Sequence, residues 1–386
     1  MTKIYILFFL ILFSLPQLLK AQVIQAKFGK GITFTAPDSS MSLKFTTRFQ
    51  TLFTAEKPLE DGSSIDKNMQ IRRFRLKFDG FAFDPRLEYK IELALSNRDQ
   101  FGSGEQMANA GSIVLDAFIN YALKDNLELK VGQFKLPGNR ERVISSQALQ
   151  FVDRSLVNGS YNLDRDLGVQ LSHNFNIGNA VIRDIYAVSL GEGRNVTTDD
   201  DGGLSYTARL EVLPFGNFED KGDYFGSDLA REQTPKLSLA GGYNFNDDAS
   251  RESGQLGDFL DETRDMNTFF ADLMFKYKGW SVLSEYMNRT TTKTSILSDN
   301  ESFFETGEGL NIQSGYLFKN NIEIAGRYTS INKFTSMDTD IKEYTLGVSK
   351  YFLNHNLKIQ SDLSLLDEEG LSNESMRFRI QMELGL

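Results

Sequence analysis

The sequence has no cysteine, two histidines, one tryptophan and seven prolines in 386 residues. Without cysteine there is no disulfide framework, thiolate metal centre or thiol nucleophile. His173 and His355 alone do not build a zinc triad, so neither a metal nor a cofactor is expected. Positive charge is also in deficit: 42 Lys+Arg stand against 52 Asp+Glu, a net charge of −10. That balance argues against a nucleic-acid partner, which needs a basic face. A mean hydropathy of −0.32 excludes a helical membrane bundle. Past residue 21 no apolar run reaches the roughly 18 residues that a spanning helix needs. What the chain does have is aromatic bulk: 31 Phe and 14 Tyr in a polar sequence.

The first 21 residues read as an export address. Met1-Thr2-Lys3 is a short positive start, Ile4 to Leu15 is an apolar run, and Leu19-Lys20-Ala21 precedes a cleavage point. The expected division is a signal peptide over 1–21, a short N-terminal segment over 22–40, and one β domain over 41–386.

That domain alternates with period two. In the last strand Met376, Phe378, Ile380, Met382, Leu384 and Leu386 share one face, opposite Arg377, Arg379, Gln381, Glu383 and Gly385. Leu43, Phe45, Phe49 and Phe53 oppose Lys44, Arg48 and Gln50. Phe74, Leu76 and Phe78 oppose Arg73, Arg75, Lys77 and Asp79, and Leu87, Tyr89, Ile91 and Leu93 oppose Glu88, Lys90 and Glu92. About 16 such runs of about 10 residues are expected, which is the pattern of an outer-membrane barrel. A soluble sandwich would also alternate, but with fewer charges on its polar face. Closure satisfies every backbone group of a sheet in lipid. The fold class expected is therefore an all-β transmembrane antiparallel barrel with long extracellular loops and one loop folded into the bore. Lys319-Asn320-Asn321 and Asn354-His355-Asn356 read as tight turns on one side; 191–203, 214–235, 247–266 and 290–307 read as long loops on the other, with the acidic stretches 199–201, 247–248 and 258–265 facing outward.

In such a barrel the chemistry belongs to the wet face. Arg73, Arg75 and Lys77 project to one side at period two, with Lys90 on a neighbouring run. A column of cations on a watery wall concentrates anions and offers paired donors to oxyanions. The alternative is ordinary solvation of a lumen carrying both signs, which Asp79, Glu88 and Glu92 favour for part of the column. Segment 138–165 is too polar to span and carries Arg140, Arg142, Arg154 and Arg165 among Glu141, Asp153 and Asp164. It suits a constriction loop, or alternatively an external loop held by its own ion pairs. Charge is uneven along the chain: residues 22–170 hold 20 cations and 18 anions, residues 171–386 hold 20 and 34. Acidic outer loops would repel anions or gather divalent cations, although salt screens such effects beyond about 8 Å.

The residues also resemble a known family, the phosphate-selective porins O and P. The resemblance rests on Arg72-Arg73-Phe74-Arg75-Leu76, Asp116-Ala117-Phe118, Val131-Gly132-Gln133-Phe134-Lys135-Leu136-Pro137, Glu141-Arg142, Ser145-Ser146, the run Phe151 to Ser155, and Arg165 to Val169, in that order. It is close over about 71–170, apart from Gly138-Asn139 where the family has Phe-Gly. The resemblance implies a 16-stranded outer-membrane barrel, typically trimeric, passing phosphate or other anions along arginine and lysine side chains.

The expected function is passive diffusion of small anions such as phosphate or polyphosphate through the outer membrane of a Gram-negative-type bacterium. The candidate lining is Arg73, Arg75, Lys77, Lys90, Arg140, Arg142, Arg154 and Arg165. Expected partners are outer-membrane lipid, small anionic solutes and two further copies of the chain. A sugar-permeable pore is the second reading. A hydrolase is the third, but it needs a histidine in a catalytic motif, and neither His173 nor His355 lies in one. No catalytic residue is expected, and the protein is read as a channel rather than an enzyme.

Overall fold

The computed structural model describes residues 22–60, 62–96, 113–196, 203–293, 295–297, 303–335, 339–368 and 374–386. The expected leader, residues 1–21, and the acidic run 199–201 lie outside them. A small hairpin, β1 (Gln22–Lys27) and β2 (Gly31–Thr35), precedes sixteen longer strands. These are β3 (Ser42–Pro58), β4 (Asp66–Ala82), β5 (Asp84–Ala94), β6 (Val114–Lys124), β7 (Leu127–Lys135), β8 (Arg165–Ile177), β9 (Ala180–Ser189) and β10 (Ser205–Leu213). The second half holds β11 (Lys236–Arg251), β12 (Phe259–Tyr277), β13 (Trp280–Thr291), β14 (Gly307–Leu317), β15 (Ile322–Lys333), β16 (Ile341–Leu353), β17 (Leu357–Glu368) and β18 (Ser375–Gly385). Each strand from β3 to β18 pairs antiparallel with its sequence neighbours. β18 then returns to β3, from Ser375↔Pro58 to Gly385↔Arg48, and closes a barrel of sixteen strands. Below that seam β2 takes over as partner of β3 (Ile32↔Phe45), so the hairpin extends the wall past the end of β18.

Burial runs inside out. Among the described residues 46 large apolar side chains are exposed, and 60 polar side chains are buried against 30 apolar ones. In β18, Met376, Phe378, Ile380 and Met382 are each about 40% exposed, while Gln381 and Glu383 are buried. A water-soluble monomer rarely shows more than a few hundred Å² of contiguous apolar surface, so this face requires lipid.

The barrel has two unlike ends. One carries the tight turns at Phe83, 125–126, 178–179, 278–279, 318–321 and 354–356; at the other β3 leads to β4, β5 to β6, β7 to β8 through 136–164, β9 to β10, β11 to β12 through 252–258, β13 to β14, β15 to β16 and β17 to β18. Two expectations need correction. Segment 247–266 is mostly strand, since β11 runs to Arg251 and β12 starts at Phe259, leaving only 252–258 as loop. Segment 214–235 is a long connection, but it sits at the turn end and its middle folds into the bore. Its Gly/Asp/Ser composition is that of any polar loop, and composition carries no direction.

Inward-facing glycines make room for the segment that fills the bore. A Cβ on Gly347 of β16 would meet Phe151 Cδ1 at 2.9 Å, and one on Gly309 of β14 would meet Val157 Cγ2 at 2.7 Å. Gly315 and Gly307 similarly receive Gln150 and Tyr161. Overfilling such a contact costs about 1–3 kcal/mol. Gly347→Leu is therefore expected to eject Phe151 and lower the unfolding temperature in detergent, whereas Gly326→Leu, whose Cβ would meet nothing within 4 Å, should leave it unchanged.

Candidate functional site

Residues 136–164 leave the loop end and turn into the barrel. They carry two short helices, α1 (Arg140–Val143) and α2 (Leu156–Tyr161), the second capped by Ser155 accepting from Asn158 N. The path is irregular, so its backbone groups need partners from the wall. Arg209 Nη1 donates to Gly138 O, Lys358 Nζ to Leu149 O, Gln360 Nε2 to Gln150 O, Arg327 Nη1 to Asp153 O, and Arg289 Nη2 to Tyr161 O, all at 2.8–3.1 Å. Apolar side chains anchor the segment as well. Val157, Tyr161 and Leu163 pack with Phe134, Phe270, Met287 and Ile331. Ile144, Ala148 and Leu149 pack with Val181, Leu213, Met274 and Leu283.

A second inward segment comes from the opposite end. Within 214–235, a 3-10 turn (Glu219–Tyr224) holds Asp220 and Lys221 at positive φ. Lys276 Nζ donates to the carbonyls of Gly222, Phe225 and Ser227 at 2.7–2.8 Å and pins this turn to β12. Ser227 bonds to Glu323 and Tyr351. The two segments meet where Gly226 N donates to Ala148 O at 2.8 Å. Together they occupy the β9–β17 side of the bore.

The cations gather along the remaining arc. Arg72, Arg73 and Arg75 on β4 all turn inward because a bulge lies opposite Gln50 and Thr51. Gln50 pairs with Arg73 and Thr51 with Ile71, so Arg72 is the extra residue. Arg48 of β3 stands directly across from Arg75. Like charges in that position repel, and Glu383 and Glu92 offset them at 3.4 and 3.2 Å. Arg48 Nη2 also donates to Ser146 Oγ at 2.7 Å. Lys90 lies between Glu92 and Asp116, and Arg165 bonds Asp116 at 2.6 Å. Arg142 pairs with Asp164. Arg154 donates to the carbonyls of Glu141 and Ile144, and Lys135 to those of Arg142 and Ile144. Lys77 lies nearer the turn end, beside Asp79 at 3.0 Å.

Charge on this arc is unbalanced. Arg48, Arg72, Arg73, Arg75, Lys90, Lys135, Arg142, Arg154 and Arg165 are nine cations, against six carboxylates: Glu92, Asp116, Glu141, Asp153, Asp164 and Glu383. Nine minus six leaves an excess of three in this cluster beside the inward loop; Lys77 with Asp79, and Lys130 with Glu128 and Glu88, lie outside it toward the turn end. The loop arginines register the crowding. Burial, then the charges of Arg154, Arg165 and Arg75, push Arg142 well below the usual arginine range. Burial and then Arg73 bring Arg154 down to about 9.

Of the eight candidate residues, seven therefore lie along this arc. Arg140 does not: it crosses to the other wall, fully buried among Glu211 (2.9 Å), Asp272 (3.2 Å) and Asp223 (3.6 Å), and clamps the two inward segments to β10 and β12. Arg48, Arg72 and Lys135 were not among the candidates. Arg48 had a visible signal, its place on the polar face of an alternating strand. Arg72 had none, because the bulge that turns it inward follows from pairing register.

Neither histidine sits in catalytic geometry. His173 bonds Asp184 Oδ1 and Asn126 Nδ2 near a turn. His355 is buried in the turn between β16 and β17, stacked on Phe225 (centroids 5.4 Å) and edge-on to Tyr351. Lys358 Nζ lies 3.5 Å from its Nδ1. Burial, then Lys358 and Lys276, hold its pKa well below the ordinary 6.5. Glu323, one bond away through Tyr351, is the nearby carboxylate. The packed ring refuses a proton that a released ring accepts, so its contribution is complete above pH 6.5 and is lost as pH falls below it. His355→Gln is expected to flatten the decline in unfolding temperature between about pH 6.5 and pH 5 in detergent.

Comparison with known proteins is consistent with this geometry. A family model, phosphate-selective porin O and P, matches residues 44–377. No curated protein matches the chain. Among solved structures, an anion-selective porin from Comamonas acidovorans is similar with a TM-score of 0.56 at 11% identity, over 90% of this chain and 100% of its own. A loop L8 deletion mutant of OmpT, an outer membrane protein of Vibrio cholerae, also gives 0.56, at 13% identity over 89% and 99%. OmpT itself, folded in vitro and described in trimer form, gives 0.53 at 14% identity over 90% and 100%. At these identities the structures attest the fold.

Proposed function

Since the chain belongs to the phosphate-selective porin O and P family and is an outer-membrane porin, we propose that small anions, phosphate among them, diffuse through it along the cation-rich arc of β3–β8. The observation that carries this reading is the excess of three positive charges in the cluster beside the inward loop, next to a bore otherwise filled by 136–164 and 214–235. In this reading 138–165 is the constriction, the turn end is periplasmic, and residues 1–21 direct export. Arg73, Arg75, Lys77, Lys90, Arg142, Arg154 and Arg165 line the path with Arg48 and Arg72, while Arg140 holds the loop in place. Each cation has a carboxylate or carbonyl nearby, so an anion exchanges one partner for another and is not trapped. The structure named as an anion-selective porin supports the sign, and the OmpT trimer supports a homotrimer here.

Recording in planar bilayers across a KCl gradient tests the sign, and a zero-current potential on the cation side would remove it. A sugar path would need aromatic rings facing open water. The rings Phe134 and Phe270 of the wall and Phe151 and Tyr161 of the loop are instead buried where loop and wall meet. Liposome swelling is accordingly expected to be slower with neutral sugars than with phosphate salts.

A further inference from the structure

Asp153 lies on the inward loop, and its carboxylate is spread over both arginines of the β4 bulge. Oδ2 accepts from Arg72 Nε at 3.1 Å and Nη2 at 2.7 Å, and Oδ1 accepts from Arg73 Nη2 at 2.9 Å and from Arg154 N at 3.1 Å. Two oxygens divided between two guanidinium groups is how paired arginines hold an oxyanion. Burial alone would raise this carboxyl, but Arg72 and Arg73 outweigh it and keep it ionised, well below the usual range.

Two further facts make this carboxylate replaceable. Its side chain is 23% exposed, whereas those of Glu92, Asp116, Asp164 and Glu383 are 0–11% exposed. It is therefore the wettest acid of the group. The loop also does not depend on it, because Asp153 O accepts from Arg327 Nη1 at 2.9 Å and Val152 N donates to Asp362 Oδ2 at 3.2 Å. The backbone is held from β15 and β17 while the carboxylate faces β4. A change of rotamer withdraws the carboxylate without moving the loop.

Building on the anion-channel reading above, we propose that Asp153 is a tethered anion resident on Arg72 and Arg73, displaced by each passing oxyanion, and that it makes this site favour doubly charged tetrahedral oxyanions over singly charged ions. A monovalent ion exchanges one charge for an equal one and leaves a carboxylate to be rehoused, so it gains nothing. A dianion keeps both guanidinium groups bonded and brings a second charge to Arg75 and Arg154, the next cations in the cluster. The displaced carboxylate turns toward Arg379, the third cation acting on it. A short tether gives the carboxylate a local concentration on the order of millimolar, which external ions must match.

The test compares chloride currents in planar bilayers over a range of KCl, with and without added inorganic phosphate, for the wild type, Asp153→Asn and Asp153→Ala. Both variants are expected to lower the chloride concentration for half-saturation by about fivefold, the scale of one charge acting at 4 Å in a watery bore. Both are also expected to weaken phosphate as a competitor relative to chloride. Unchanged half-saturation in both variants overturns the proposal. So does a rise in saturating conductance with loss of saturation, which means the carboxylate anchors the loop. A wild-type zero-current potential on the cation side overturns the anion reading itself. Anion preference in the wild type with unaltered saturation in the variants overturns only the role of Asp153.

Discussion

Replacing Arg73 and Arg75 together by glutamine is expected to weaken the anion preference of the channel while leaving the barrel folded. Both side chains face the bore of β4, and both lie in a cluster whose excess is three positive charges. Removing two cuts the excess from three to one and leaves Asp153 to Arg72 and Glu92 to Lys90. In a wet lumen each charge acts on a passing ion with about 1 kcal/mol at 4 Å, so the pair changes the local anion concentration by roughly thirtyfold. Screening confines the effect to about 8 Å at physiological salt, which still covers the narrow arc. The measurement is the zero-current potential in a KCl gradient, expected to move from the anion side toward zero. Glutamine keeps hydrogen-bonding capacity toward Asp153 and Glu92, so the unfolding temperature should change little. A large loss of stability with unaltered selectivity would place these arginines among the structural ion pairs.

Excising residues 139–162 in favour of a short Gly-Ser connection is expected to raise single-channel conductance several-fold and to remove saturation. The excised segment fills the bore beside β9–β17, and its carbonyls are the partners of Arg289, Lys358, Gln360 and Arg327. Those donors would turn to water. Each buried side chain among Ile144, Leu149, Phe151, Val157 and Tyr161 contributes about 1.5–3 kcal/mol. Freeing two dozen ordered residues offsets much of that loss, at about 1–2 kcal/mol of backbone entropy per residue. Conductance should therefore change far more than thermal stability. Segment 214–235 would remain through its clamp on Lys276, and a conductance no higher than the wild type's would identify it as the narrower obstruction.

The barrel wall was legible because lipid on one side and water on the other impose period two on every strand. Phe378 and Ile380 face out and Arg379 and Gln381 face in, as their spacing requires. The cation column on β4 was legible for the same reason, and so was Arg48. What the sequence did not disclose depends on contacts between distant residues. Arg72 faces inward only because the register against β3 slips at Gln50. Arg140 differs from Arg142 only in finding Glu211 and Asp272, 71 and 132 residues away along the chain. Segment 214–235 looks like an outward loop until Lys276, on an inward position of β12, captures its carbonyls. Glycines on inward positions, such as Gly309 and Gly347, were a usable sign that something packs against that wall, although not of what.

The seam between β18 and β3 brings together residues more than three hundred positions apart, such as Glu383 and Gln50. Until that seam forms, the sheet has two bare edges in a solvent that cannot hydrate them, and Arg48 lacks Glu383. Insertion of this chain is therefore all-or-none. A half-rolled intermediate has no stable place in the bilayer, and the wait for two distant ends to find each other makes assembly slow.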